Sequence, residues 1–333
     1  MFKPQIITAE VFTTFCASFE GEKTFLQSPS FAAYRQACGE EIRLEGYFIN
    51  NEIVAVALMQ NLKSKLKKWL HVPHGPLVKP AFKNEFWPWW LNHYRQLGKD
   101  LKQDLVRVSP LETVDTTIDF ASANFKPAAV HLVNPETSWV LDITNSDDEL
   151  LAGMKKSTRY EVRKGAKPET GFTTTIDQNL ETFWNLHEAT VARQKFVPFT
   201  KKSTQAEIKA FGDNCEIITI WHEEKALASG VFLFDEKSAY YHQGASVHSK
   251  LPAAHAYIWA AILESKKRGC TEFNFWGVSR ETETKHPWFG LSKFKRGFGG
   301  GEKNYHHVHD FEITWKAKLN RVIETRRKKK RGY

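Results

Sequence analysis

Apolar positions along the chain fall into one pattern that is written twice. The first copy runs "EIRLEGYFINNEIVAVALMQ", Glu41 to Gln60, then "KSKLKKWLHVPHGPLV", Lys63 to Val78. It reads as an apolar strand, the polar turn Asn50-Asn51-Glu52, a second apolar strand, a charged turn and a third strand, with turns of hairpin type. The second copy runs "CEIITIWHEEKALASGVFLF", Cys215 to Phe234, then "DEKSAYYHQGASV", Asp235 to Val247. Its first turn is His222-Glu223-Glu224-Lys225, and the third strands of the two copies lead into Gly75 and Gly244. A helix with an apolar face follows each: "KNEFWPWWLNHYRQLGKD", Lys83 to Asp100, and "AAHAYIWAAILESKKRGC", Ala253 to Cys270. Both close on a glycine with basic residues nearby. A strand follows each helix, at Leu105 to Leu111 and at Thr271 to Val278.

The segments ahead of the strands match as well. "SPSFAAYRQACG" offers Ser28 as a helix N-cap, Pro29 at the first helical position and Gly39 as the end. "KSTQAEIKAFGDN" offers Ser203 as a cap and Gly212 as a stop. The copies are offset by about 170 residues, counting Gly75 against Gly244, and their identity is negligible. The element order predicts a duplicated α/β unit of the α+β type. By analogy of order it is that of the acetyltransferase (GNAT) fold, which does not by itself give a function. Between the copies, "SWVLDITNSDDELLAGMKKSTRYEVRKGAK", Ser138 to Lys167, reads as a strand ending near Asp142 and then a helix. Asn145 or Ser146 caps that helix, with Asp147, Asp148 and Glu149 at its positive end. Spacings of three and four put Lys156, Arg159, Arg163 and Lys167 on one face. That face is either solvated or aimed at phosphates.

Composition narrows the class. The 333 residues are 41% hydrophobic and 26% charged, a globular mixture with room for two domains. No apolar run approaches the roughly 20 residues of a membrane span, and the N-terminus has no signal-peptide pattern. The four cysteines stand far apart without C-x-x-C spacing, which fits a bacterial-type cytosol rather than a disulfide framework or structural zinc. Of the net charge of +9, the run Arg326-Arg327-Lys328-Lys329-Lys330-Arg331 supplies six units, leaving +3 for the rest. Three readings of that tail stand: contact with RNA phosphates, contact with an anionic membrane surface, or a solvated end. Ahead of it, Trp315, Leu319 and Val322 at helical spacing are expected to form the packed face of a last helix.

The chemistry-bearing stretch is "FGLSKFKRGFGGG", Phe289 to Gly301, with the three phenylalanines Phe289, Phe294 and Phe298, five glycines, three bases and no acid. Its glycines allow close backbone approach, the phenylalanines anchor it, and Lys295 presents a cation suited to an oxyanion or a phosphate. The alternative is a structural turn with solvated lysines. G-x-S-x-G, H-E-x-x-H and the phosphate-loop signature are missing. "NYHHVHDF" holds His306, His307 and His309, but no carboxylate or cysteine cluster completes a metal set, so neither metal nor cofactor is expected. "WPWWLNHYR" reads as a helix packed on a sheet. The junction "GASVHSKLPAAHAY", Gly244 to Tyr257, has no glycine between Val247 and the helix and carries Pro252, which argues against a coenzyme A pyrophosphate cradle.

Taken together these pieces resemble the Fem family of aminoacyl-tRNA-dependent peptidyltransferases of peptidoglycan precursors. "TFLQSPSFAAYRQ", "HVPHGPLV", "VRVSP", "MKKSTRYEVRKGAKPETG", "YYHQGASVHSKLPAAHAYIWAAILESKKRGCTEFNFWGV" and "GLSKFKRGFGG" match its motifs in order. The resemblance implies two GNAT-like domains, residues 1–143 with about 307–333, and 144–306. It implies Lys295, with Phe294 beside it, near the reacting acyl group. It also implies Arg35, Lys201, Tyr241 and His242 as candidate substrate contacts, and Arg159, Arg163, Arg296, Arg326, Arg327 and Lys328 as candidate RNA contacts. The expected partners are aminoacyl-tRNA and a nucleotide- or lipid-linked peptidoglycan precursor, with peripheral contact to an anionic membrane as a further expectation; the protein is expected to be a cytoplasmic monomer. Departures are the missing coiled-coil arm, Asn274 in place of an aspartate, and Lys201 or Lys202 in "FVPFTKKST" as the basic candidates for a nucleotide phosphate. The competing readings are an N-acyltransferase using acyl-CoA or another acyl donor, and a non-catalytic RNA- or membrane-binding protein.

Overall fold

The computed structural model describes residues 1–129, 134–194 and 199–330. Its contacts divide the chain into two units, Met1–Glu136 with Asn304–Tyr333, and Thr137–Lys303. The first unit runs β1 (Lys3–Ile6), α1 (Ala9–Ser18), α2 (Pro29–Ala37), β2 (Glu41–Ile49), β3 (Glu52–Lys63), β4 (Lys68–Pro73), β5 (Leu77–Val78), α3 (Lys83–Asp100), β6 (Leu105–Ser109) and β7 (Lys126–Pro127). The second holds β8 (Thr137–Asp142), α4 (Asp147–Gly153), α5 (Lys156–Gly165), β9 (Phe172–Asp177), α6 (Leu180–Gln194), α7 (Lys201–Phe211), β10 (Cys215–His222), β11 (Lys225–Phe234), β12 (Ser238–Ser246), α8 (Ala253–Lys267), β13 (Glu272–Gly277), α9 (Phe289–Arg296) and β14 (Gly301–Asn304). The chain then re-enters the first unit as β15 (His309–Glu312) and α10 (Trp315–Lys330).

The duplicated pattern becomes duplicated geometry. The β2–β3 hairpin turns through Asn50 and Asn51, both at positive φ, and β10–β11 turns through Glu223 and Glu224, also both at positive φ. Two consecutive left-handed residues suit the twist of a tight hairpin. Each hairpin also carries one register shift, between Tyr47 and Phe48 in the first and between Ile220 and Trp221 in the second. After the long helix, each unit adds a parallel strand: β6 beside β4, and β13 beside β12. The sheet orders are β1-β2-β3-β4-β6-β15-β7, with β5 on β3, and β14-β8-β13-β12-β11-β10-β9.

In the first unit α3 lays Phe86, Trp90, Leu91 and Tyr94 on the sheet. Tyr94 Oη donates within reach of the carbonyls of Leu70 on β4 and Arg107 on β6, at 2.9 and 3.0 Å. Trp90 Nε1 donates to Tyr47 Oη at 2.7 Å. The tryptophan tract is therefore helix-to-sheet packing. In the second unit α8 buries Tyr257, Ile258, Ala261 and Ile262 against the sheet.

Several boundaries differ from the sequence expectation. The strand 137–142, placed in the first domain by a break at 143, pairs with β13 of the second unit. The helix expected from Asp147 onward is two helices, broken at Met154 and Lys155. Its first part has a full capping box between Ser146 and Glu149. The cap of α7 is Thr200, whose hydroxyl accepts from the Ser203 N–H, so Ser203 lies inside the helix. Trp315, Leu319 and Val322 do not form the packed face of α10. They are exposed, and Ala317 and Asn320 are buried instead. Phe196–Pro198 and the chain beyond Lys330 lie outside the described residues.

Candidate active site

The stretch that combines phenylalanines, glycines and bases is helix α9 followed by a glycine turn. Trp139 on β8 donates its indole N–H to the Gly299 carbonyl at 2.6 Å, and the Lys155 N–H donates to the Gly297 carbonyl at 2.9 Å. Gly299 and Gly300 have φ of 88° and 94°, and a Cβ on Gly300 would collide with the Val140 carbonyl oxygen. The glycines thus bring the turn against β8 and the start of α5. Phe298, fully buried, packs on Phe275 of β13 at 5.5 Å and on Phe294 at 5.3 Å. Phe294 also meets His255, on the first turn of α8, at 5.1 Å.

This scaffold places Lys295 inside the protein. The residue is 5% exposed. Its Nζ donates to the Gly277 carbonyl at 2.7 Å and lies 5.5 Å from the Tyr241 ring centre. No carboxylate among the described residues pairs with it, and burial alone pulls its pKa down to about 7. The ammonium has three donors; one is used by Gly277, and the others have no protein acceptor among the described residues. Near neutral pH this amine is therefore divided between cationic and neutral forms.

The acceptor strand end is itself shaped. Trp276 takes φ of 64°, a left-handed conformation that is rare for a bulky side chain. Its N–H is held by Asn274 Oδ1 at 2.8 Å, and the next residue supplies the carbonyl for Lys295. Asn274 needs only an oxygen acceptor for this, which an amide provides as a carboxylate would. Beyond it, the Ser279 N–H donates to Ser292 Oγ at 2.8 Å, and Arg296 donates to the Ser279 carbonyl at 2.6 Å. One helix thereby fixes the chain at Gly277 and Ser279 through three hydrogen bonds. Neither Trp276 nor the Asn274 bond was legible from residue type, because strain is a property of the pairing irregularity between β13 and β8.

The remaining candidates fall in several places. Tyr241 is buried, its hydroxyl 2.5 Å from that of Tyr257; its ring lies 5.5 Å from Lys295 Nζ, and Phe294 packs against the core cluster to which Tyr241 belongs. His242 lies 3.0 Å from Glu207 on α7 and packs against Phe199. Lys201, at the start of α7, pairs in solvent with Glu181 of α6. Arg35 belongs to the first unit, where it is held bidentately by Glu40. Arg159 donates to the Ala152 carbonyl at 2.8 Å, while Lys156, Arg163 and Lys167 are exposed on and just past α5. Arg296 corrects an expectation: it is 5% exposed, paired with Glu302 at 2.6 Å and lying over Trp139. It locks the turn and offers no free charge to RNA. Arg326 and Arg327 are exposed on α10, and Lys328 is half-buried. The histidines are engaged within the first unit: His306 with the Thr116 carbonyl, His307 with Glu136, His309 stacked on Phe120.

Residues 200–306 match the model of the FemAB family, which bears out the resemblance carried by the motifs. Among solved structures, FemX superposes with a TM-score of 0.82 at 17% identity, over 97% of this chain and 100% of that one. L-PGS from Bacillus licheniformis gives 0.57 at 13%, over 97% of each chain. A tandem GNAT protein from the clavulanic acid biosynthesis pathway gives 0.57 at 10%, over 94% and 98%. The fold is that of tandem GNAT-like units. No curated protein matches in sequence.

Proposed function

We infer that this Fem-family chain is an aminoacyltransferase that moves an amino acid from aminoacyl-tRNA to an amine of a peptidoglycan precursor peptide. The observation that carries the chemistry is Lys295, a buried cation with unclaimed donors and no acid beside it. In the reaction the acceptor amine attacks the carbonyl carbon of the aminoacyl ester. The tetrahedral intermediate then expels the ribose oxygen, an amide bond replaces the ester, and the proton lost by the amine ends on the released hydroxyl. Lys295 as ammonium stabilises the oxyanion between those two events. The Tyr241 ring, 5.5 Å from Lys295 Nζ, and Phe294, the preceding residue on α9, are its assigned neighbours in that step. Arg35, Lys201 and His242 are assigned to the acceptor, nucleotide- or lipid-linked, and the exposed bases of α5 to the tRNA backbone. The protein acts as a cytoplasmic monomer.

An acyl-CoA donor is disfavoured. Pro252 is the N-cap of α8, without a side-chain cap, and no glycine stands between Val247 and it. Pro252 removes one backbone N–H from the junction, and without a glycine the backbone has less freedom to approach a pyrophosphate closely. The test is incubation of the protein with charged total tRNA and purified precursors, followed by mass spectrometry. A precursor heavier by one aminoacyl residue, dependent on charged tRNA, is the expected result. An unchanged precursor, with thermal stabilisation by acyl-CoA alone, overturns the reading.

A further inference from the structure

The last helix turns an apolar stripe to the outside. Trp315, Leu319 and Val322 are 69%, 52% and 48% exposed, and their spacing of four and three residues sets them on one face. The inward face of α10 is chosen by other groups. Ala317 and Asn320 are buried. Glu324 accepts from Lys67 Nζ at 2.7 Å and lies 3.6 Å from the Arg107 guanidinium. At about 100° per residue, Lys316 and Lys318 flank the stripe on opposite sides, and exposed Arg326 continues its line. Trp315–Lys330 holds eight basic residues and one acid, Glu324, which faces inward. The outer half of the helix is thus apolar along its middle and cationic along both edges.

A second element of the same unit has the same character. The tip of the β3–β4 hairpin, "KSKLKK", exposes Leu66 at 49% among exposed Lys63, Lys65 and Lys68. Its remaining lysine, Lys67, is the one tied to Glu324. Asp104 accepts both the Lys68 N–H and the Thr314 hydroxyl, at 2.8 and 2.6 Å, which fixes the hairpin beside the entry to α10. A phosphate-tracking RNA surface would use the cations but has no use for leucine and valine. A protein partner would have to supply a matching ring of acids around an apolar patch, whereas an anionic bilayer supplies both headgroup charge and apolar depth.

We propose that α10 and the 63–68 hairpin form a docking surface for an anionic lipid bilayer. Trp315, Leu319, Val322 and Leu66 enter the boundary between headgroups and acyl chains, and the flanking lysines and arginines contact the anionic headgroups. No described helix is long and apolar enough to cross a membrane; this one lies in the plane of the surface. The proposal stands apart from the transferase reading, because it concerns where the protein sits and not what it transfers.

The test is co-sedimentation of the full chain with vesicles of equimolar phosphatidylcholine and phosphatidylglycerol, against phosphatidylcholine alone. Binding to the anionic vesicles and much weaker binding to the neutral ones is expected. Leu319→Ser with Val322→Ser should lower the partition coefficient roughly tenfold. Neutralising Lys316, Lys318, Arg326 and Arg327 to Gln should lower it by at least about tenfold. All these side chains are exposed, so the thermal melting of both variants should match the wild type. Wild-type protein that ignores anionic vesicles overturns the proposal, and so does a serine variant that binds them undiminished. Loss of affinity for uncharged total tRNA in the glutamine variant, without vesicle binding by the wild type, would make this an RNA surface. A dimer abolished by the serine variant, again without vesicle binding, would make it a contact between copies.

Discussion

Each unit buries a cation against the strand that follows its long helix, Arg107 in the first and Lys295 in the second, and the two are treated in opposite ways. Arg107 on β6 gives two parallel N–H bonds to Asp310 of β15, at 2.7 and 2.8 Å, with Glu324 3.6 Å away. Lys295 reaches the end of β13 and finds one backbone carbonyl. A guanidinium held by a planar carboxylate is neutralised, so Arg107 acts as a structural tie that joins β6 to β15. An ammonium buried without an acid is destabilised in its charged form, which costs the fold and leaves the amine ready for a ligand. One plan of strands and helices therefore yields a cation paired with an acid in one unit and a cation buried without one in the other. The difference lies in whether a carboxylate is supplied.

The largest expected effect comes from removing that carboxylate. Asp310→Ala leaves Arg107 buried with only the more distant Glu324, and should destabilise the protein by about 3–5 kcal/mol. Urea unfolding of the full chain measures it. A loss below about 1 kcal/mol would mean that the Arg107 charge is already solvated, and the contrast with Lys295 would collapse.

Next in size is the converse change. Lys295→Ala should reduce turnover by roughly 10²–10³, equivalent to about 2.7–4 kcal/mol of transition-state stabilisation, with the fold kept. Steady-state transfer from charged tRNA, with circular dichroism as the control, decides it. Near-normal turnover would make the lysine a structural oddity rather than the reacting cation.

The stability cost of that lysine has its own signature. Its pKa in the folded protein is about 7, against 10.5 for an ordinary lysine. Below pH 7 both states are protonated and the native state bears the full cost of the buried charge. Between the two values the unfolded chain holds a proton that the native chain has lost, so native stability rises with pH. Lys295→Met removes the group from both states. The stability advantage of the variant over the wild type should therefore be largest at pH 6 and shrink by roughly 2 kcal/mol between pH 7 and pH 9. An advantage that does not change with pH would show that Lys295 titrates normally and is not buried in solution.

How much of this could be read from residues alone depended on the distance over which each decision is made. Hairpins, α3 and the Ser28 cap are local: alternation, a polar turn and a Ser-Pro pair carry them. Lys295 was found because the phenylalanines and glycines that position it surround it in sequence. The face of α10 was misread, since the helix is oriented by Lys67 and Arg107, more than 200 residues away along the chain. Its apolar spacing pointed outward instead. The strand 137–142 was put in the wrong unit because its partner β13 begins at Glu272. Arg296 looked like a free base in "FKRGFGG", yet its fate is set by Glu302 and the Ser279 carbonyl. Trp276 gave no signal, because positive φ at a tryptophan arises from the pairing of β13 and β8.

The smallest effect tests the repeat itself at its helix starts. In the first unit Ser28 caps α2: its hydroxyl accepts from the Phe31 N–H at 3.1 Å, with Pro29 at the first helical position. In the second, Thr200 caps α7 by accepting from the Ser203 N–H at 3.1 Å. If the two helices begin by the same device, Ser28→Ala and Thr200→Ala should each cost about 1 kcal/mol. Ser203→Ala should cost less than Thr200→Ala, because Ser203 sits within the first turn, where alanine has the higher helix propensity. Thermal melting of the three single variants measures the ordering. A larger loss for Ser203→Ala than for Thr200→Ala would shift the start of α7 by three residues and break the correspondence between the units at that point.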